Sequence, residues 1–312
     1  MKKFKKIIRA VLVLAVLAGL IYLIPKVITV VRLKRAADSY VAASSVSTFK
    51  DSKTTIIYDT NDQELCTIKD MYYVSYQEIP VTLVNSFVVM EDRQFYKHSG
   101  YDIKAILRAI VINQKSNDIA QGASTITQQL ARNIFLSQEV TWQRKVEEIF
   151  IAVGLEKKYS KNQILEFYLN NIYFGNGYYG VEAAARGYFD KSVSELTLAE
   201  QTFIAAIPNN PTRYNPLTNY DNTVQRKNLI LQQLYEADDI GSLDRYMAET
   251  EEVVLNPHQT EEINNSVVTY ARHCATESLM SVSGFTFRYN FSSEDDYNAY
   301  EATYDTFVSR SF

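Results

Sequence analysis

Lys2, Lys3, Lys5, Lys6 and Arg9 stand ahead of an apolar run from Ala10 to Ile24, and after Pro25 and Lys26 the stretch Val27–Val31 continues it. Such a run approaches the ~20 residues that a helix needs to cross a bilayer. A cleaved signal has a shorter apolar core that ends in a small-residue cleavage site. Ala15-Val16-Leu17-Ala18 imitates such a site, but the run continues well past it. The pattern predicts a basic cytoplasmic tail over 1–9 and an uncleaved transmembrane signal-anchor over 10–31. Arg32, Lys34 and Arg35 follow the run. The denser basic cluster is nevertheless N-terminal, which places the N-terminus inside and everything after the span outside.

Composition narrows the rest by exclusion. A net charge of −4 carries no global signature of nucleic-acid binding, so an anionic ligand must be met by local basic clusters. The 23 tyrosines and 15 phenylalanines favour packed, sugar-facing or membrane-facing surfaces over disorder. Cys66 and Cys274 are the two cysteines, far apart and without a second pair, which excludes a cysteine zinc site and a disulfide framework; two separate thiols are the preferred reading, and a bridge between them is the alternative. Three histidines, His98, His258 and His273, make a histidine-rich metal site improbable.

Beyond a juxtamembrane linker at 32–52, Thr54–Tyr58 and Glu64–Ile68 are β-rich around Asn61-Asp62, which predicts a short hairpin. From Pro80 to Ser292 the pattern is mainly helical. Pro80 suits a first helical position, and Leu83, Val84, Phe87, Val88 and Met90 share one apolar face. Ser160–Gln163 and Thr197–Glu200 are capping boxes that open two more helices, the second ending at Pro208. Phe285, Phe287, Tyr289 and Phe291 alternate with polar residues, which predicts a half-buried strand. Tyr297, Tyr300, Tyr304 and Phe307 then form a helical stripe.

Three stretches carry chemistry-bearing residues. Glu91-Asp92 follows the apolar helix directly, so Glu91 sits where a carboxylate is partly desolvated and suited to accept a proton. Taken alone, an ED pair at a helix end is usually a solvated terminus, and His98 is a hydrogen-bonded structural histidine. In Gly122–Asn133, hydroxyls (Ser124, Thr125) and amides (Gln128, Gln129) precede Arg132, which lies one helical turn beyond Gln128. Such a face offers donors to phosphate or sugar oxygens, although an N-capped surface helix has the same pattern. Arg144-Lys145-Val146-Glu147-Glu148 places Arg144 and Glu148 at the i,i+4 spacing of a plain salt bridge, but the apolar residues after it predict a deeply buried helix.

In this order the segments resemble the first three motifs of the family 51 glycosyltransferases: ED-x-x-F-x-x-H-x-G at 91–100, GASTITQQLARN at 122–133 and RK-x-x-E at 144–148. These are the transglycosylase domains of class A penicillin-binding proteins and of monofunctional peptidoglycan glycosyltransferases. Tyr179–Phe189 and Ile204–Pro216 look like the fourth and fifth motifs. The resemblance implies a mainly α, lysozyme-like glycosyltransferase domain over 53–235, which joins lipid II to a growing glycan chain at the outer face of the cell membrane. Glu91 and Glu148 are then the catalytic residues, Glu91 as general base. Asp92, Ser124, Thr125, Gln128, Gln129, Arg132, Arg144 and Lys145 bind substrate. No cofactor is required by the resemblance, and a divalent cation, magnesium or manganese, is its candidate helper near Glu148. The implied partners are the membrane and cell-wall synthesis or division proteins, with no nucleic acid among them. One departure stands out: the position where many members carry a further basic residue for the pyrophosphate is Val140 here. The apolar stripe Ile103, Ile106, Leu107, Ile110 and Val111 falls where the family touches the membrane, and core packing explains it equally well.

A glycan-cutting hydrolase would need the carboxylates without the phosphate-binding segment, and an inactive scaffold would need neither glutamate. Ser47-Thr48-Phe49-Lys50 fits the S-x-x-K pattern of a transpeptidase by coincidence, since no K-T-G follows. The tail at 236–312 reads as a linker opening into a transpeptidase region cut short at Phe312. A tail that folds back on a monofunctional enzyme is the alternative.

Overall fold

The computed structural model describes residues 2–50, 55–58, 64–68, 72–108, 124–136 and 141–257, residues 266–282, and parts of 284–304. Within these the protein is mainly helical. The helices are α1 (Lys2–Ala43), α2 (Val46–Lys50), α3 (Val81–Glu91), α4 (residues 103–108), α5 (Ile126–Phe135), α6 (Trp142–Lys158) and α7 (Lys161–Asn171). They continue with α8 (Val181–Phe189), α9 (Leu198–Ala205), α10 (Tyr220–Glu236), α11 (Ser242–Thr250) and α12 (Ser266–Val282). Strands β1 (Thr55–Tyr58) and β2 (Glu64–Ile68) pair antiparallel, with an irregularity between Ile57 and Tyr58. Asn61-Asp62 lies outside the described residues.

The chain divides into two compact units, Met1–Phe49 with Met90–Tyr168, and Lys50–Val89 with Leu169–Phe312. In the first, α1 packs along α6. Ala37 is buried, and a Cβ on Gly154 would come within 2.7 Å of the Val41 side chain, so the two helices approach where one residue has no side chain. The Lys158 ammonium donates to the carbonyls of Val41 (2.7 Å) and Ser44 (2.5 Å), placing a cation on the unsatisfied C-terminal end of α1. Phe49 stacks on Phe167 at 4.2 Å and meets Tyr159 edge-on. The end of α1 and the segment after it are thereby fastened to α6 and α7. Among the described residues no helix is long and apolar enough to cross a membrane. The side chains of residues 1–21, which hold most of the predicted anchor, lie outside the described set.

In the second unit, α3 buries Leu83, Val84, Phe87 and Val88 as the apolar face predicts, and Pro80 stands just outside it, its carbonyl accepting from Leu83 and Val84. The Thr197 box opens α9 as expected, and the helix ends at Ala205, three residues before Pro208. Glu182, in the segment resembling a fourth motif, is buried. It accepts from the Val193 amide (2.7 Å) and from Arg186 (2.8 Å), tying α8 to the turn that follows. Gly180 has φ +86°, and a Cβ there would fall 2.7 Å from the Asn170 carbonyl oxygen, so this tight entry into α8 requires glycine.

The strand expected at 285–291 is absent among the described residues, where 285–288 is irregular. Alternation suits a strand only when a neighbour supplies ladder hydrogen bonds. Here Phe285 instead packs its ring against Phe287 (5.0 Å), Tyr300 (5.4 Å) and Tyr304 (5.8 Å). The described residues between 296 and 304 are helical, as the stripe predicts.

Candidate active site

Both glutamates singled out in the sequence lie in the first unit. Glu91 is the last residue of α3 and is half-buried. Its Oε2 accepts from the Gln129 side-chain amide at 2.9 Å. The carbonyl oxygen of that amide accepts in turn from the Tyr168 hydroxyl at 3.1 Å. Tyr168 is fully buried, and burial, with the Glu91 charge adding to it, holds the phenol well above the ordinary tyrosine value. It is therefore a neutral donor. Nothing in the sequence placed Tyr168 beside Gln129.

α5 opens on a capping box that sequence reasoning did not single out. Thr125 caps it, accepting from the Gln128 amide at 3.2 Å, while Gln128 Oε1 accepts from the Thr125 amide at 3.0 Å. The box leaves the other half of Gln128 unused: among the described residues Gln128 Nε2 is buried without a partner, as is Nε of Arg132 one turn later. Buried donors are almost always satisfied, so two orphans on one helix face mark a place where an acceptor belongs.

Asp92 and Thr125 were expected to bind substrate, but their side chains turn inward. Asp92 Oδ2 accepts from the Ile126 amide at the start of α5 (3.1 Å) and from His98 Nε2 (2.8 Å), and the side chain is only 4% exposed. His98 Nδ1 accepts from the Gly100 amide at 3.1 Å, so the ring proton sits on Nε2 and points at Asp92. Thr125 Oγ1 donates to the Gly100 carbonyl at 2.9 Å. Through these bonds both residues tie the loop 92–100 to the start of α5. Gly100 makes the contact possible: its φ is +101°, and a Cβ would fall 2.8 Å from backbone atoms of Ala152 and Val153. Behind this lies a network that sequence reasoning missed. Glu156 accepts from Thr127 (2.6 Å) and Lys161 (2.8 Å), and Lys161 also donates to the His98 carbonyl (2.8 Å).

The third cluster belongs to α6, which Thr141 caps and which begins at Trp142, two residues before Arg144. Glu148 is completely buried. One carboxylate oxygen accepts from Arg144 Nη1 at 2.5 Å and the other pairs with the Lys145 ammonium, which also donates to Ser124 Oγ at 2.7 Å. Burial pushes Lys145 below the ordinary lysine value; Glu148 pulls it back up, and Arg132 and Arg144 press it down again. Two cations thus pair with one carboxylate, and the Arg132 charge acts on Lys145. Val140, Gly122 and Ala123 lie outside the described residues.

These segments fall within a stretch, residues 61–235, that matches the family described as Transglycosylase. The chain belongs to the transglycosylase family. Penicillin-binding protein 4 of Bacillus subtilis is 43% identical over 212 residues, 68% of this chain and 34% of that protein. Penicillin-binding protein 1A of Aquifex aeolicus is 42% identical over 215 residues, 68% of this chain and 28% of that protein. A crystal structure of penicillin-binding protein 1A from Haemophilus influenzae aligns with a TM-score of 0.42 and 20% identity, covering 73% of this chain and 24% of that one. The matched stretch therefore spans about a third of the length of these curated relatives.

Among the described residues the donor set around Glu148 does not suit a divalent cation. Among the described residues no three His, Cys, Asp or Glu side chains converge as a metal site. Both oxygens of Glu148 face cations, where a magnesium or manganese ion would need further oxygen ligands. The charges that surround Glu148 belong to the protein.

Proposed function

We propose that this chain is a membrane-anchored peptidoglycan glycosyltransferase that polymerises lipid II into β-1,4 glycan strands outside the cell. The observation that carries the reading is one face of α5 with two orphaned buried donors, Gln128 Nε2 and Arg132 Nε, in the same unit as the Arg144–Lys145 cation pair and the carboxylate of Glu91. A lipid pyrophosphate is the kind of acceptor such donors fit, being polyanionic and rich in oxygen.

In this mechanism Glu91 takes the proton from the 4-hydroxyl of an incoming lipid II as that oxygen bonds to the anomeric carbon of the growing chain. The bond from that carbon to the pyrophosphate oxygen breaks, the undecaprenyl pyrophosphate departs with the electron pair, and the α-linkage becomes β. Arg132, Arg144 and Lys145 stabilise the charge that develops on the leaving group, with Ser124 and Gln128 adding neutral donors. Glu148 holds Arg144 and Lys145 in place for that task. Gln129 orients Glu91, while Asp92 and Thr125 fix the wall behind it. The lipid approaches along a greasy surface: Ile103 and Leu107 are 57% and 58% exposed, which favours the membrane at these two positions, while Ile106 is half-buried and Ile110 and Val111 lie outside the described residues. The anchor is read from the sequence at 10–31, and the glycosyltransferase domain from 53 to 235.

Polymerisation of purified lipid II by the chain and by Glu91→Gln tests this. The substitution is expected to abolish polymer while moenomycin, a phosphoglycolipid that occupies the donor site, still binds. Near-normal polymer from Glu91→Gln would remove Glu91 as the base, and no polymer from the parent chain would remove the activity.

A further inference from the structure

We propose that Tyr168 is a positioning residue for Glu91, acting through the Gln129 amide; this rests on the reading of Glu91 as the general base. The three groups form a chain of donors running one way, from the Tyr168 hydroxyl to Gln129 Oε1 (3.1 Å) and from Gln129 Nε2 to Glu91 Oε2 (2.9 Å). An amide side chain has two nearly isosteric orientations, and only one turns its NH2 toward the carboxylate. In the other, a carbonyl oxygen would face a carboxylate oxygen. The buried hydroxyl favours the productive orientation by donating to the carbonyl side, and hydrogen bonds linked in this way polarise and strengthen one another. The consequence falls on Glu91: one of its oxygens is tied, and with it the rotamer of the group that must meet the acceptor hydroxyl.

Burial keeps Tyr168 from ionising, so the direction of the chain does not change across the working pH range. Its ring is packed in the core, with Ile164, Leu165 and Phe167 buried in the same helix. A role for the ring alone would be satisfied by phenylalanine. A role for the hydroxyl would not.

The test uses the full chain in detergent with purified lipid II, comparing the parent, Tyr168→Phe, Gln129→Met, the double variant and Glu91→Gln. Tyr168→Phe is expected to lower kcat about tenfold, as misplacement of a proton-transfer group does, while leaving KM and moenomycin binding close to parental. The acid limb of its pH–rate profile should move to higher pH, because an amide held less firmly stabilises the ionised carboxylate less. In the Gln129→Met background, Tyr168→Phe should have no further effect. A parental kcat and acid limb in Tyr168→Phe, or an equal additional loss in both backgrounds, would overturn the proposal and leave Tyr168 as core packing. If Tyr168→Phe does not fold, as judged by circular dichroism, Gln129→Met alone must lower kcat and move the limb with moenomycin retained; an unmoved limb overturns the proposal. Glu91→Gln separates the two readings. Polymer from that variant removes the general base itself, whereas an inactive Glu91→Gln beside a parental Tyr168→Phe removes only the positioning chain.

Discussion

Glu147 and Glu148 are neighbours on one helix, and replacing each by glutamine should give opposite results. Glu148 is fully buried, with Arg144 Nη1 at 2.5 Å and the Lys145 ammonium on its other oxygen. Glu148→Gln keeps the shape and deletes the carboxylate charge that Arg144 and Lys145 both face. Removing one partner of a buried ion pair costs about 3–5 kcal/mol. Two features reduce that figure here. The Lys145 side chain is 38% exposed, so water screens it, whereas Arg144 at 13% is screened little. Lys145 already sits below its ordinary value through burial and sheds its proton more readily once Glu148 is gone. The expected loss is therefore about 2–3 kcal/mol, carried mainly by Arg144. Glu147 makes no ion pair among the described residues, and burial pushes its carboxyl above the ordinary glutamate value. Glu147→Gln removes a charge the fold disfavours and should change stability by less than about 0.5 kcal/mol in either direction. Urea unfolding followed by far-ultraviolet circular dichroism measures both, and lipid II polymerisation should fall severely for Glu148→Gln alone. Equal losses at the two positions, or a Glu148→Gln protein as stable as the parent, would refute the electrostatic account of this cluster.

Arg132→Ala should weaken moenomycin binding by about 2 kcal/mol, the lower end for a charge-assisted contact because Arg132 is half-buried; unchanged affinity by calorimetry would move the grip to Arg144 and Lys145. Gly100→Ala should destabilise the protein by about 3 kcal/mol or more, since the new methyl meets backbone at 2.8 Å and the residue is held at φ +101°; a parental urea midpoint would show that the loop relaxes freely. Tyr168 contributes an alkaline dependence whose sign is fixed. Its folded value is raised, so its contribution is fully present below the unfolded tyrosine value near 10.0 and is lost as pH rises from there toward the folded value. Urea midpoints should therefore fall between pH ~9 and ~11, less steeply for Tyr168→Phe than for the parent; identical slopes would contradict it.

The local signals in this sequence were legible because each acts within a few residues. Ser160 and Thr197 open helices where their capping boxes stand, since a hydroxyl and an amide or carboxylate three residues on satisfy the first free N–H groups whatever packs around them. The buried face of α3 and the ion pairing of Arg144 with Glu148 follow from helical spacing in the same way. The sequence order of the motifs also identified the transglycosylase family, which the match at 61–235 bears out.

Spacing ceases to inform where the partner is distant. The alternation at 285–291 carried half the condition for a strand, and the other half, a neighbouring strand, is a property of tertiary structure; the aromatic rings found one another instead. Asp92 and Thr125 are polar residues within motifs, and their partners, the Ile126 amide and the Gly100 carbonyl, stand 34 and 25 residues away, where spacing says nothing. The link from Tyr168 through Gln129 to Glu91 spans separations of 39 and 38 residues. The sequence determined by itself which helices form and which residues carry charge. Which donor faces which acceptor was decided only when α3, α5, α6 and α7 packed, because a hydrogen bond is set by distance and direction in space and not by position along a chain.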